Sequence, residues 1–164
     1  YLGNSSTYTL PANVTKIAEG AFYGNKKLTS INMSLNNELI FIGAYAFYDC
    51  ANLTGNLVVM PKVEVIYNYA FANTSIQNLI LQNGSKLKEI GEYAFANCYY
   101  LKSAQLSGDV ISIATTAFLY DYSLEVLLCK KPQKHQIIAC TTASYISVIK
   151  KVLQTNYLHI LQAS

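Results

Sequence analysis

The chain has 164 residues, of which 52% are hydrophobic and 13% are charged, and its formal net charge is +3. This composition permits a substantial buried core and excludes a disordered chain, which needs low hydrophobicity and high charge. No apolar run in the sequence reaches the roughly 20 residues that span a bilayer as a helix. All twelve basic residues are Lys, which disfavours nucleic-acid recognition because bidentate contacts to phosphate and guanine favour Arg.

The chain starts with YLGNSS, which contains neither Met nor a charged-then-apolar signal segment. We therefore interpret the chain as a mature form or a fragment, and we expect any targeting or anchoring segment to lie outside it. Any membrane contact is then expected to come from such segments.

A repeated unit organises the sequence from its start to residue 129. The dipeptide Ala-Phe recurs at intervals of 23 to 25 residues, with the aromatic rings at Phe22, Phe47, Phe71, Phe95 and Phe118. An Ile precedes each Ala by four residues: Ile17, Ile42, Ile66, Ile90 and Ile113. Such a period is the signature of a solenoid, in which each unit buries its apolar side against its neighbours. We predict that the phenylalanines form the stability core.

Each unit contains one predicted strand and one return segment. The first clear strand, LTSINM at residues 28–33, alternates apolar and polar residues. The later strands place their inward pairs at Leu57 and Val59, Leu79 and Leu81, Ala104 and Leu106, and Leu127 and Cys129. The second strand has an extra residue near Gly55, and a slip of one position there would turn Val58 inward. The return pattern V-x-x-I-x-x-x-A-F is too short for a long helix and predicts an irregular or short helical segment.

The last part of the chain, residues 130–164, departs from this pattern. We interpret IIACTTASY at 137–145 as a degenerate sixth copy, and ASYISVIKKVLQ has the apolar spacing of an amphipathic helix. This part contains five Lys and no acidic residue. We predict a partly helical C-terminal cap, because the open end of a solenoid exposes core that needs a polar cover. A contact with an anionic surface is the alternative interpretation.

The unit resembles the BspA-like leucine-rich repeat, L-x-x-I-x-[IL]-P…V-x-x-I-G-x-x-A-F-x-x-C. The stretches VTKIAEGAFYGNKKLTSINM and LKEIGEYAFANCYYLKSAQL carry this resemblance, which covers about residues 8–129. It implies an α/β solenoid, namely a leucine-rich-repeat right-handed superhelix with a parallel concave sheet, short irregular or helical return segments and about five to six repeats. Residues 1–129 are then the solenoid domain with five clear copies, and residues 130–164 are the degenerate repeat and cap.

Two cysteines share one position of the repeat, three residues after the Phe. Cys50 and Cys98 stand where other copies have Asn25, Thr74 and Asp121, so small side chains that satisfy backbone groups at a turn are expected there. Strand spacing separates the two thiols by about 10 Å, whereas a disulfide tolerates about 7 Å between Cα atoms. We predict buried free thiols.

Three tyrosines also share one position, directly before the Ala: Tyr45, Tyr69 and Tyr93. A stacking platform for a ligand is one interpretation. We favour half-buried packing between adjacent turns, because the repeat itself produces such ladders.

Candidate residues for chemistry are few. Cys129, His135 and Cys140 form C-x5-H-x4-C, which lacks the tight spacing of a zinc site, and nothing positions a Cys–His pair for catalysis. Glu89 and Glu92 flank an apolar position and are expected on a solvated face, and the glycines form no phosphate loop. We expect no enzymatic activity, no metal and no cofactor.

Six asparagines begin the tripeptide N-x-[ST]: Asn4, Asn13, Asn32, Asn52, Asn73 and Asn83. They indicate either N-glycosylation of a secreted protein or the incidental product of a turn-rich chain. Asn32 is expected on the concave strand face, where a glycan would obstruct binding.

The resemblance implies a non-enzymatic protein–protein interaction module, adhesin-like and located at the cell surface or secreted, that binds a host matrix or cell-surface protein. An intracellular, cytoplasmic or cytoskeletal, scaffold bound to assembly partners is the alternative. Sequence alone leaves both open, because repeats are reused widely.

The predicted binding residues lie between the inward strand positions and therefore point away from the core. They are Asn56, Val58, Met60, Asn78, Ile80, Gln82 and Gln105. This surface is nearly uncharged, and apolar groups rimmed by amides and hydroxyls suggest a protein contact. Ordinary β-branched strand filling is the alternative interpretation.

Overall fold

The computed structural model describes residues 5–106 and 110–129. One strand per repeat lies in the predicted strand position: β1 (Thr7–Thr9), β3 (Ser30–Asn32), β5 (Thr54–Val59), β7 (Ser75–Leu81), β9 (Ser103–Leu106) and β11 (Val126–Cys129). One two-residue strand lies in each return segment: β2 (Lys16–Ile17), β4 (Phe41–Ile42), β6 (Val65–Ile66), β8 (Glu89–Ile90) and β10 (Ser112–Ile113). The described residues contain no helix, and hence none that could cross a membrane.

All strand pairs are parallel, as the solenoid prediction requires. The return strands form one sheet in the order β10-β8-β6-β4-β2, so every repeat contributes to it in sequence. The longer strands form two sheets: a pair of β1 and β3, and a four-stranded sheet in the order β11-β9-β7-β5. The predicted parallel-strand solenoid is therefore confirmed, and its concave sheet is divided between β3 and β5.

An irregularity lies at the predicted place near Gly55. Gly55 pairs with Ile76 but Asn56 pairs with Asn78, so Gln77 is an extra residue on β7. Beyond this bulge the register is regular, and Val58 faces Ile80. Leu57 and Val59 are buried whereas Val58 is exposed, so the bulge absorbs the extra length and Val58 points outward.

The repeat phenylalanines form a continuous column through the core, as predicted. Consecutive rings stack with centroids 4.8, 4.9, 5.4 and 5.3 Å apart along Phe22, Phe47, Phe71, Phe95 and Phe118. None of these side chains is more than 4% exposed. The backbone joins the repeats at the same place, since the Phe71 amide donates to the Ala94 carbonyl at 2.7 Å, and the Phe47 amide donates likewise to Ala70. The small Ala is needed because the neighbouring turn approaches closely there.

The return segments are irregular rather than helical, because left-handed residues interrupt them once or twice in each described repeat. The position two after the Phe has positive φ in every repeat and is filled by Gly24, Asp49, Asn73, Asn97 and Tyr120. Gly, Asn and Asp are the residues that adopt this conformation most easily. The position two before the Phe also has positive φ, at Gly20, Tyr45, Tyr69 and Tyr93. A helix cannot continue through such residues, so tight turns form instead.

The position three after the Phe satisfies backbone groups at the turn. The Cys50 thiol donates to the Phe22 carbonyl at 3.0 Å, and the Cys98 thiol to the Phe71 carbonyl at 3.2 Å. Both cysteines are buried free thiols, which confirms the prediction. In the last described repeat, Asp121 Oδ1 accepts the Cys98 amide at 2.8 Å, whereas Oδ2 is buried and has no hydrogen-bond partner among the described residues.

The predictions for the last part of the chain fall outside the described residues. These are the domain boundary at residues 129 and 130, the degenerate sixth copy, the helix and the cap. They remain predictions.

Candidate protein-binding surface

The candidate surface is the outward side of β5, β7 and β9, which we call the concave face. Strand register aligns its side chains in two rows across the sheet. The first row is Asn56, Asn78 and Ser103, and the second row is Val58, Ile80 and Gln105. Alternation along each strand explains this geometry, because the residues between these positions turn into the core.

The first row is held together by hydrogen bonds between its own side chains. Asn78 Nδ2 donates to Asn56 Oδ1 at 2.8 Å, and Ser103 Oγ donates to Asn78 Oδ1 at 2.7 Å. Each polar group on this row therefore has a defined orientation before any partner arrives. Ser103, which the alternation also predicts to point outward, completes the row and belongs to the site for this reason.

The second row is apolar in two of its three positions. Val58 is 36% exposed, Ile80 is half-buried and Gln105 is exposed. Gln82 follows directly after β7. Its backbone amide donates to the Val59 carbonyl, and its side chain is half-buried. The structure thus brings Asn56, Val58, Asn78, Ile80 and Gln105 together, with Gln82 at one end.

Met60 is not part of this surface, and its assignment as an outward residue is wrong. Met60 is only 3% exposed, and the residue before it, Val59, is also buried, so the two do not alternate between faces. Strand β5 ends at Val59, and a turn follows in which the Val63 amide donates to the Met60 carbonyl. Alternation between the two faces stops where the strand stops, so Met60 turns into the core instead of outward.

The concave face carries no charged side chain on β5, β7 or β9. The ion pairs in the described residues lie elsewhere, as between Lys62 and Glu38 and between Lys88 and Glu64, each at 2.8 Å. The hydrogen bond from Lys88 lowers the pKa of the Glu64 carboxyl below its usual value. The ion pairs of the described residues therefore link successive repeats outside the concave strands, and β5, β7 and β9 offer little attraction for a charged ligand.

The described residues offer no assembled site for metal or nucleophilic chemistry. They contain no group of three or more His, Cys, Asp or Glu that could hold a metal ion. Burial raises the pKa of the Cys50 thiol to about 11 and also raises the pKa of the Cys98 thiol, whereas a nucleophilic thiol needs a lowered pKa. Glu89 and Glu92 are exposed, as expected. His135 and Cys140 lie outside the described residues.

The tyrosines before the repeat Ala pack between adjacent turns, as predicted. Tyr45 and Tyr69 stack with centroids 4.9 Å apart, and Tyr69 and Tyr93 with centroids 4.8 Å apart. All three are half-buried. Because Tyr69 is stacked on both sides, its ring faces are not open to a ligand, and the ladder is a packing element.

The sequence pattern of the BspA type leucine-rich repeat region matches residues 1–125 in six copies. The chain belongs to this family. All six matched copies lie within residues 1–125, ahead of the stretch 137–145 that is predicted to be a degenerate sixth copy. Leucine-rich repeat proteins are generally binding modules without enzymatic activity, and membership is consistent with a protein-interaction module.

Solved structures of a pneumococcal antigen and of a T. pallidum leucine-rich repeat protein share the fold. The pneumococcal vaccine antigen PcpA is 23% identical with a TM-score of 0.61, and the match covers 80% of this chain and 32% of the antigen. The T. pallidum leucine-rich repeat protein is 24% identical with a TM-score of 0.51, over 79% of this chain and 73% of the other. The chain thus spans about a third of the antigen's length. No curated protein matches the chain in sequence.

Proposed function

We propose that this chain is a non-enzymatic module that binds a protein partner through its concave face. The observation that carries the proposal is the pair of aligned rows, one apolar at Val58 and Ile80 and one amide-rich at Asn56 and Asn78. Exposed apolar groups bordered by polar groups are typical of protein contacts. The absence of charge on β5, β7 and β9 favours a protein with an uncharged contact patch over an anionic ligand.

The hydrogen bonds within the amide row support the same proposal. Ordering side chains at an interface costs about 0.5–1.5 kcal/mol for each rotamer-rich residue. Asn56, Asn78 and Ser103 are already ordered by their mutual bonds. This row therefore binds a partner at a lower entropic cost than free side chains.

We further propose that the protein acts at the cell surface or as a secreted, adhesin-like protein. The fold shared with a pneumococcal vaccine antigen supports this location, and so do the six N-x-[ST] tripeptides. Labelling intact cells with a membrane-impermeant biotin reagent tests it. Recovery of the unlabelled chain in a cytoplasmic or cytoskeletal fraction instead supports the scaffold function.

The binding test replaces one concave residue by an acid. Ile80→Glu is expected to weaken binding to a protein partner at least tenfold, because a carboxylate must lose its hydration in an uncharged contact. Its melting temperature should stay within a few degrees of the parent chain, since Ile80 is only half-buried. The probe is a panel of purified extracellular-matrix proteins measured by surface plasmon resonance, and Val58→Glu should act in the same direction.

Ile111 offers a matched control for this experiment. It is 70% exposed and precedes the return strand β10, away from β5, β7 and β9. Ile111→Glu should leave affinity unchanged. If Ile80→Glu and Val58→Glu also leave affinity unchanged for a partner that binds the parent chain, the concave face is not the binding site.

A further inference from the structure

The N-x-[ST] tripeptides are too many and too scattered to be a by-product of the repeat. The composition of the chain, with fourteen asparagines, places about two by chance, whereas the sequence has six. The five in described residues stand at different places in the repeat, from Asn73, two residues after Phe71, to Asn83, twelve residues after it. Duplication of one unit would place them at the same position, so the repeat alone does not account for them.

Two of these asparagines occupy the tips of equivalent turns. Asn13 lies in the turn between β1 and β2, closed by the Val14 amide on the Pro11 carbonyl at 3.3 Å. Asn83 lies in the turn between β7 and β8, closed by the Ser85 amide on the Gln82 carbonyl at 3.1 Å. Each turn connects the longer strand of its repeat to the return strand that follows, so both asparagines lie along the same edge of the solenoid.

The amide nitrogens at these tips are open. Asn13 and Asn83 are exposed, and neither side chain makes a hydrogen bond within the described residues. A Cβ added at Gly84, beside Asn83, would meet nothing within 4 Å. Buried Asn36 fixes the turn around Asn13, because its Nδ2 donates to the Pro11 and Val14 carbonyls at 2.6 and 2.8 Å. Both asparagines are therefore accessible to solvent, and the tip at Asn83 has open space beside it.

The other described asparagines are held by the fold. Asn52 Nδ2 donates to the Lys26 carbonyl of the preceding repeat at 2.6 Å. Asn73 is half-buried with φ of 59°, and its Oδ1 accepts Asn97 Nδ2 at 2.9 Å. Asn32 is exposed but lies within β3, where its Oδ1 accepts the Ser34 amide at 2.9 Å. The Asn73 side chain is half-buried, so a sugar on its Nδ2 has less room than one on exposed Asn13 or Asn83.

We propose that Asn13 and Asn83 are N-glycosylation sites. In this reaction the side-chain Nδ2 attacks the anomeric carbon of a lipid-pyrophosphate-linked oligosaccharide. The new C–N bond replaces the C–O bond to the pyrophosphate, which leaves with the lipid, and Nδ2 gives up one proton. The glycans then border one edge of the concave face and leave its two rows uncovered.

This inference rests on the secreted or surface location proposed above, because the sugar donor meets only chains that enter the secretory route. It does not depend on which face binds a partner. The transferase acts on the chain before it folds, so the folded structure does not determine which asparagines the enzyme reaches. The structure determines which of the glycosylated chains can then fold. Because Asn73 is half-buried, a chain modified there is expected to fold less readily and to be depleted from the folded product.

The test expresses the full chain behind a secretory leader in a eukaryotic cell and maps glycopeptides of the folded protein by mass spectrometry. Glycans are expected at Asn13 and Asn83. Asn13→Gln and Asn83→Gln should each remove one glycan from the intact mass, whereas the matched variant Asn73→Gln should remove none. All variants carry Asn4→Gln, because Asn4 lies outside the described residues.

Unmodified Asn13 and Asn83 overturn the proposal, whether or not Asn32 or Asn52 is modified. Folded chain with a glycan on Asn73 overturns it as well, since the fold would then not select the sites. If the chain is glycosylated at Asn13 and Asn83 but Ile80→Glu leaves partner affinity unchanged, the concave-face proposal is wrong and the glycosylation proposal is not affected.

Discussion

The return side of the solenoid is uniform, whereas the strand side varies from repeat to repeat. Five return strands of two residues each form one unbroken sheet, and the Phe column runs beneath the turns of every repeat. On the strand side the lengths range from three to seven residues, a bulge lies at Gln77 and the sheet is divided. The repeated sequence therefore fixes how the units stack, while the strand side accepts differences in length from one repeat to the next.

The largest expected change in stability comes from removing an aromatic ring from the return side. Phe71→Ala is expected to lower the free energy of unfolding by about 3–5 kcal/mol, as for other buried Phe truncations, because stacked rings lie on both sides of the cavity. Urea titration measures the loss. A loss below about 1 kcal/mol would show that the column contributes little to stability.

Substitutions at two glycines compare how tightly the return side and the strand side are packed. A Cβ at Gly43 would lie 2.7 Å from both the Glu19 amide nitrogen and the Ile17 carbonyl oxygen, so Gly43→Ala should cost about 1–3 kcal/mol through overpacking. Gly55 on the strand side has positive φ but open space around it, so Gly55→Ala should cost only about 1 kcal/mol through conformational strain. Thermal unfolding of both variants checks the order, and a reversed order would contradict a tighter return side.

The buried carboxyl at the end of the described solenoid predicts a pH effect. Burial raises the pKa of Asp121 from 3.8 to about 8, so its contribution to stability is complete below about pH 4 and is lost as the pH rises to 8. Asp121→Asn needs no proton uptake on folding and should be at least about 1.4 kcal/mol more stable than the parent chain at pH 8, which is the value of a single pKa unit. At pH 4 the difference should disappear. Melting curves at both pH values measure it, and a difference that does not change with pH would contradict a neutral Asp121.

The smallest effect is expected on the strand side. Asn78→Ala removes the hydrogen bonds to Asn56 and Ser103, but these groups regain water, so the loss should be about 0.5–1.5 kcal/mol. The free energy of partner binding should fall by more than the free energy of unfolding, since the amide row is then disordered. Equal affinity for the parent chain and the variant would show that the row only supports the sheet.

The return side could be predicted from the sequence because its columns repeat. Phe71 and Ile66 recur at the same place in every unit, so periodicity alone identifies the core. Asn97 and Asp49 are residues that favour positive φ, and they signal the turns that replace a helix. Tyr45 and Tyr69 give no such signal, because Tyr enters the left-handed region only when its neighbours hold it there.

The strand side could be predicted only where the strands are regular. Val58 and Ile80 are outward because alternation continues through them. Met60 is inward because β5 ends one residue earlier, and strand ends depend on the turn that follows rather than on the repeat. The sequence predicts an extra residue near Gly55, but the unpaired residue lies on the neighbouring strand at Gln77, since register belongs to a pair of strands and not to one.

The backbone bonds between the Phe and Ala positions of neighbouring repeats also set how the molecule responds to force. Because these bonds join one repeat to the next, a pull between residues 5 and 129 loads the outermost bonds first, as in a zipper. Each repeat that detaches releases about 24 residues, or roughly 80 Å of extended chain. A chain built in this way is expected to lengthen in steps under load while its remaining repeats stay folded.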